Sequence, residues 1–481
     1  MSYRETFRIG RAGVSERHIT KGLAAGLAFI AIGLVLAFMF PDSPDYSDTE
    51  RVNYVTLLMA YCSFAFLITY AIARRDLSVF EPLALVTALM LCTFVLYPLR
   101  DVLMHDMVSH GKDVSDGCVK ATFIVIVSYA LLYVFYYTGK DRGYSMVSKG
   151  TSTEYLTADA RRRSTTIMLG VWILSFTASV SVLLQSGMSI SYLFSLGLRG
   201  EYAVSEERTL LLFLANFGVS LVTAWVYLLF NAKSRLLKGF LAFFTCLYAF
   251  ARMSRWLILV VLAAPITYYF SLTRRRVSKS VAIAAAIAFL LVAAWMQIYR
   301  YGFRRGTTSD LSFTWDLATL MGPFRSDFTT YKAVYGMVQE IPANHGYFLG
   351  KSSILNFFMM MIPRALWPGK PLRVPASEIV SLSVNESAAQ AGMAFYSVGE
   401  YYADFGPLGA FIMMSLFGYV LGRFLEPKRI SCNTNDLLAF AIMYPLLFQW
   451  TARGNTGANV WLTIFAMFPV ELLRFLEDGQ K

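Results

Sequence analysis

The chain has 481 residues, 56% of them hydrophobic and 15% charged, with a mean hydropathy of +0.51, whereas soluble domains carry roughly 25% charged residues. That composition excludes a soluble globular protein. The net charge of +12 sits at membrane boundaries rather than on one soluble face, which speaks against a nucleic-acid partner.

Apolar runs of roughly 17 to 25 residues, the length that crosses a bilayer, recur along almost the whole chain. The first, 22–40, is too long for a signal-peptide core and has no small-residue cleavage site before PDSPDYSD, so it reads as a retained helix. Further spans are predicted at 54–72, 80–98, 119–137, 166–185, 208–230, 239–251, 256–272, 280–298, 406–422, 437–450 and 458–474. The fold class is therefore all-α and polytopic, with about twelve transmembrane helices. Lysine and arginine in the short loops orient it. The N-terminal arm carries Arg4, Arg8, Arg11, Arg17 and Lys21, against Arg51 alone in the next loop. ARRD at 73–76, the stretch 140–163, NAKSRLLK, TRRRVSK and GRFLEPKR fall on the same side, which places both termini in the cytoplasm. Segment 239–251 is only about 20 Å long as a helix. Fusing it with 256–272 would carry the RRR of 274–276 and GRFLEPKR to the outer face, so two separate helices are expected. The chain then divides into 1–298 with nine spans, an outer loop at 299–405, and 406–481 with three spans. The five cysteines stand singly, without a CxxC or a histidine at ligand spacing, so no disulfide framework or zinc site is expected.

The outer loop holds two embedded features. Phe324, Phe328, Tyr331, Val334, Tyr335 and Val338 recur at helical spacing, the pattern of an amphipathic helix lying on a membrane surface. ILNFFMMMIP at 354–363 is too short to span and reads as a re-entrant half-helix stopped by Pro363. IPRALWPGKPLR, directly after it, would form the rim of a polar cavity, with Trp367 at the interface and Arg364 and Lys370 on the polar side. A single arginine at a membrane face snorkels to headgroups. A set gathered at several outer helix ends, Arg255, Arg300, Arg364 and Arg453 with Lys370, suits an anion, because guanidinium forks grip phosphate in pairs of bonds. The outer acids and imidazole able to accept a proton are Glu201, Asp327, His345, Glu378, Glu400 and Asp404. Glu400 and Asp327 are favoured as catalytic, with an ordinary ion pair as the plain alternative for each. Asp42, Asp45 and Asp48 form a DxxDxxD run read as a solvated loop, and no metal or other cofactor is called for.

An apolar run, then IPRALWPGKP, then SVGEYYADFGPLGAF, with ARMSRW upstream and ARGNTGANVW near the end, resembles the Wzy-type oligosaccharide repeat-unit polymerases, particularly the branch related to enterobacterial common antigen polymerase. The specific motifs cover 299–305, 362–371 and 451–461. The resemblance implies an inner-membrane glycosyltransferase of the GT-C type, working on undecaprenyl-pyrophosphate-linked oligosaccharides at the periplasmic side. It also implies a Wzz-type chain-length co-polymerase as partner. An O-antigen ligase-like transferase shares the donor chemistry. A transporter or flippase would show two similar halves, and no internal repeat is visible.

Overall fold

The computed structural model describes residues 16–41, 43–73, 80–109, 111–147, 158–185, 217–252, 255–274, 280, 291, 328–362, 367, 369 and 394–478. Those residues are almost all helical. In chain order the helices are α1 (Glu16–Phe38), α2 (Asp48–Ala73), α3 (Pro82–Leu103, with a π turn at Cys92–Leu96), α4 (Cys118–Val147), α5 (Ala158–Gln185), α6 (Phe217–Asn231), α7 (Arg235–Ala251) and α8 (Arg255–Thr273). After them come α9 (Tyr331–Glu340), α10 (a π turn Lys351–Leu355 running into Asn356–Met361), α11 (Tyr396–Ile430), α12 (Thr434–Arg453) and α13 (Thr456–Asp478). A two-residue hairpin, β1 (Val108–Ser109) and β2 (Lys112–Asp113), links α3 to α4.

Eight of these helices, α1 to α5, α8, α11 and α13, are long and apolar enough to cross a membrane. Helices α6, α7 and α12 stand at three more of the expected spans. The expected span 280–298 lies outside the described residues, apart from single positions. Helices α7 and α8 are separate and run in opposite directions along α6. A Cβ on Gly218, near the start of α6, would meet Tyr248 near the end of α7, while Phe230, near the end of α6, packs edge-on against Tyr268 of α8. Just past α8, Arg274 donates to the carbonyls of Arg429 (3.2 Å), Ile430 (3.1 Å) and Ser431. Arg274 and the end of GRFLEPKR therefore share one end of the bundle.

Two packed groups make the core. The first joins α2, α3 and α4 to α9 and α11. The second joins α5 to α8 with α13, and α12 contributes to both. Within the first group α4 and α11 run parallel and touch through two glycine pairs, Gly139 and Gly143 on one and Gly418 and Gly422 on the other. A Cβ on Gly422 would lie 2.0 Å from the Tyr136 carbonyl, and one on Gly418 2.3 Å from that of Leu132. Small residues one turn apart are what let two membrane helices meet backbone to backbone. Below this seam, at the Arg274 end, lies a buried ionic cluster. Lys140 binds Glu81 (2.8 Å), with Glu426 at 3.9 Å. Tyr136 donates to Glu81 (3.0 Å), Tyr144 to Glu426 (2.7 Å), and Arg429 grips Glu426 at 2.5 Å.

The helix expected to lie on a membrane surface does not do so over its described part. Every residue from 330 to 338 is buried, with α9 wedged between the hairpin end of the first group and the start of α11. The reason is Lys332, whose ammonium reaches Asp101 (3.1 Å) and Asp106 (3.4 Å). That pairing lets the helix sink its charged face as well as its apolar one. Tyr331 donates to the same Asp101 (2.7 Å), and Glu340 at the far end meets Lys112 (2.6 Å). Asp101 is fully buried, so this cation and this phenol, with the Arg100 guanidinium at 2.7 Å, replace the water it has lost.

Candidate functional site

Helix α11 is broken at Gly406, whose φ of 72° and ψ of −166° lie in a region open to glycine, and Pro407 follows. The break leaves a first half, 396–405, sunk in the core with 396–404 all buried. Glu400 and Asp404 are one turn apart on it and point at two helix starts. Asp404 accepts from the backbone N–H of Ser352 (3.2 Å) and Ser353 (2.8 Å) and from Ser353 Oγ (2.5 Å). These are the opening donors of α10. Glu400 accepts from the N–H of Thr456 through both oxygens (3.0 and 2.9 Å), from Thr456 Oγ1 (2.7 Å) and from Ser352 Oγ (3.0 Å). Thr456 opens α13. Each carboxylate supplies the acceptors that a helix N-terminus lacks and offsets the positive end of its dipole. Both acids are fully buried.

The turn between α12 and α13 is locked to the same place. Arg453 ends α12, Gly454 turns the chain at φ 68°, and the Arg453 carbonyl accepts from the N–H of Phe395 (3.4 Å). Asn455 Oδ1 accepts from Asn356 of α10 (2.8 Å). Trp461 of α13 donates to the Phe357 carbonyl (3.0 Å) and stacks on the Phe357 ring at 5.1 Å. Helix α10, the start of α13 and the first half of α11 thus form one hydrogen-bonded triangle. IPRALWPGKPLR leaves that triangle at Ile362, which is extended (φ −87°, ψ 113°), as a residue before proline tends to be.

The sequence candidates divide accordingly. Glu400 lies in the triangle and Arg453 at its edge. The backbone of Arg255 opens α8, and because Arg274 ties the other end of α8 to the link between α11 and α12, residue 255 begins at the end of the bundle where Arg453 finishes. Asp327, Arg300, Arg364 and Lys370 lie outside the described residues, as do Glu201 and Glu378. His345 is exposed. In the acidic run Asp45 accepts from Ser43 (3.0 Å), Asp48 opens α2, and Asp42 lies outside the described residues. Sequence reasoning missed Ser352, Ser353, Thr456 and the Asn356–Asn455 pair. The signal for the first three was present, since serine and threonine ahead of apolar runs mark helix starts.

Beside the triangle, α9 carries two groups with altered acidity. Burial, then the neighbouring Asp101, pushes the Tyr331 hydroxyl far above the ordinary tyrosine range, which keeps it a donor. The hydrogen bond from Lys112, then that from Asn344, holds the Glu340 carboxyl below its ordinary value.

Long apolar helices joined by buried ion pairs and capped helix starts define a multi-pass membrane protein whose polar core is built at the ends of its helices. The chain belongs to the O-antigen polysaccharide polymerase Wzy family, which matches it over residues 27–476, nearly its whole length. No curated protein and no solved structure matches it. Family membership makes it a glycosyltransferase-like polymerase of oligosaccharide repeat units, seated in a membrane.

Proposed function

We propose that the chain polymerises undecaprenyl-pyrophosphate-linked oligosaccharides at the periplasmic face of the bacterial inner membrane, as a GT-C-type glycosyltransferase with cytoplasmic termini. A hydroxyl of the acceptor unit's nonreducing-end sugar attacks the anomeric carbon of the donor glycan. The new C–O bond forms as the bond to pyrophosphate breaks, and undecaprenyl pyrophosphate departs with the electron pair. The hydroxyl proton is passed to a base.

The observation that best supports this reading is the triangle of α10, α11 and α13. It ties the turn bearing Arg453 to the root of IPRALWPGKPLR, two cationic segments far apart in sequence. Arg255, Arg300, Arg364, Arg453 and Lys370 are assigned to the pyrophosphate, where charge-assisted contacts strengthen as the leaving group gathers charge. Of the two favoured acids, Asp327 is assigned the proton, because Glu400 is walled in and already filled with donors. A Wzz-type co-polymerase is the partner this reading implies.

A deletion strain tests it. Surface glycan capped with one repeat unit is the expected result. Loss of all glycan from the acceptor would indicate a ligase or a flippase instead.

A further inference from the structure

Asp404, Ser352, Ser353 and Thr456 have no part in the reaction as written, yet they make the densest set of hydrogen bonds around the triangle. We propose that Asp404 and Glu400 are positioning residues for the polymerase: Asp404 fixes the start of α10, Glu400 fixes the start of α13, and together they hold α10, down to its end at Ile362, and the Arg453 turn at the one spacing on which binding of the donor's pyrophosphate depends. This rests on the polymerase reading above.

The geometry supports it in three ways. Both acids lie on one turn of one buried helix half, so the spacing of the two helix starts is set by that half. Their partners are the opening groups of α10 and α13, and the two bound helices are tied directly to each other by Asn356–Asn455 and by Trp461 on the Phe357 carbonyl. Finally, a misplacement of about 1 Å far from the chemistry costs about a hundredfold in rate, so a clamp on two anchoring segments controls the reaction without touching a substrate.

The hydrogen-bond count distinguishes positioning from proton transfer. Thr456 and Ser352 meet Glu400 partly through hydroxyls, which can turn and accept. A glutamine at 400 can take the Thr456 N–H and hydroxyl on an oxygen at the Oε2 position and donate its amide to Ser352 Oγ, giving up only the longer half of the shared Thr456 N–H bond, because that donor keeps its other acceptor. Asp404 is different. Its Oδ1 and Oδ2 accept from the backbone N–H of Ser352 and Ser353 respectively, and backbone donors cannot reverse. An asparagine there must set its NH2 against one of them.

The test uses purified full-length protein in proteoliposomes with a lipid-linked repeat unit, following elongation rate against donor concentration and pH, with the thermal midpoint recorded alongside. Expected are Glu400→Gln within about threefold of wild type with an unchanged pH profile, and Asp404→Asn with a donor KM raised at least about tenfold. Ser353→Ala, which keeps both backbone bonds to Asp404 and removes one hydroxyl, should raise the donor KM by about threefold at an unchanged midpoint, and it carries the test if Asp404→Asn does not fold. Glu400→Gln losing about a hundredfold together with one limb of the pH profile would make Glu400 the base and overturn the proposal. A wild-type donor KM in Asp404→Asn, or in Ser353→Ala where the former does not fold, overturns it too. A wild-type protein that makes no polymer removes the polymerase reading and this proposal with it, whereas an active wild type with a tolerant Asp404→Asn removes this proposal alone.

Discussion

Lys332 shows how much a single side chain decides here. Replacing it with methionine leaves the buried Asp101 held by Arg100 (2.7 Å) and Tyr331 but without its lysine, a loss on the order of 1 to 3 kcal/mol. Lys332→Met should therefore lower the denaturation midpoint sharply, and adding Asp101→Asn should restore part of it. A double variant no better than the single one would show that the pair is not coupled. Arginines of the proposed anion site belong at this scale too. Alanine at Arg364, Arg255 or Arg453 should shorten polymer by costing roughly 3 kcal/mol, about a hundredfold in rate. Lysine should rescue poorly, because an ammonium lacks the planar fork. Full-length polymer from all three lysine variants, at matched expression, would reduce these arginines to membrane anchors. Glu340 supplies a pH dependence. Its folded value is depressed below the ordinary 4.5, so its contribution is intact above that value and is lost as pH falls through the folded one. Thermal midpoints recorded downward from pH 6 should decline less steeply below 4.5 in Lys112→Met than in wild type.

Helices follow from contacts that the chain reveals unevenly. The long spans were legible because an apolar run of membrane length has few other uses. The break between α7 and α8 was legible from charge, since the arginines after α8 had to share a side with those in the last turns of α11. The burial of α9 was not. Tyr331, Val334, Tyr335 and Val338 mark one apolar face, and what sinks the other face is Asp101, far back in the chain. Glu400 was singled out as an acid on the outer side, but its role as a helix cap depends on Thr456 and Ser352, which no local pattern joins to it. The glycine seam was hidden as well, because GKDRG carries three charges and reads as a cytoplasmic loop rather than a packing motif. That seam makes a prediction. Gly422→Ala places a Cβ 2.0 Å from the Tyr136 carbonyl and should destabilise by about 1 to 3 kcal/mol through overpacking. Gly239→Ala, on the exposed face of α7 with nothing within 4 Å, should be neutral or gain up to about 1 kcal/mol. Equal thermal midpoints for the two variants would show that α4 and α11 can part at no cost.

For the whole molecule, the two ends of the bundle differ in kind. One has Arg274 across the 429–431 carbonyls and the Glu81–Lys140–Glu426–Arg429 cluster; the other has the capped starts of α10 and α13 and the docked α9. The proposed function needs the second end in the periplasm, and native Cys432, exposed and just after those carbonyls, is a ready probe of the first. In a variant keeping Cys432 and lacking the other four cysteines, a membrane-impermeant maleimide should leave intact spheroplasts unlabelled. With Cys432 also removed, Ser115→Cys and His345→Cys should each restore labelling. Labelling of Cys432 without permeabilisation would invert the molecule and remove the periplasmic site.

The docking of α9 also sets an order of events during synthesis. Asp101 and its partner Tyr331 are separated by 230 residues. At about 5 to 20 residues per second, a ribosome needs roughly 10 to 50 s to produce the second after the first. During that interval α2, α3 and then α4 enter the membrane with Asp101 still without its lysine and with the seat for Tyr331 and Tyr335 unfilled. The early helices thus remain provisional until the last third of the chain emerges, and a nascent chain halted before α9 should be a ready substrate for membrane proteases.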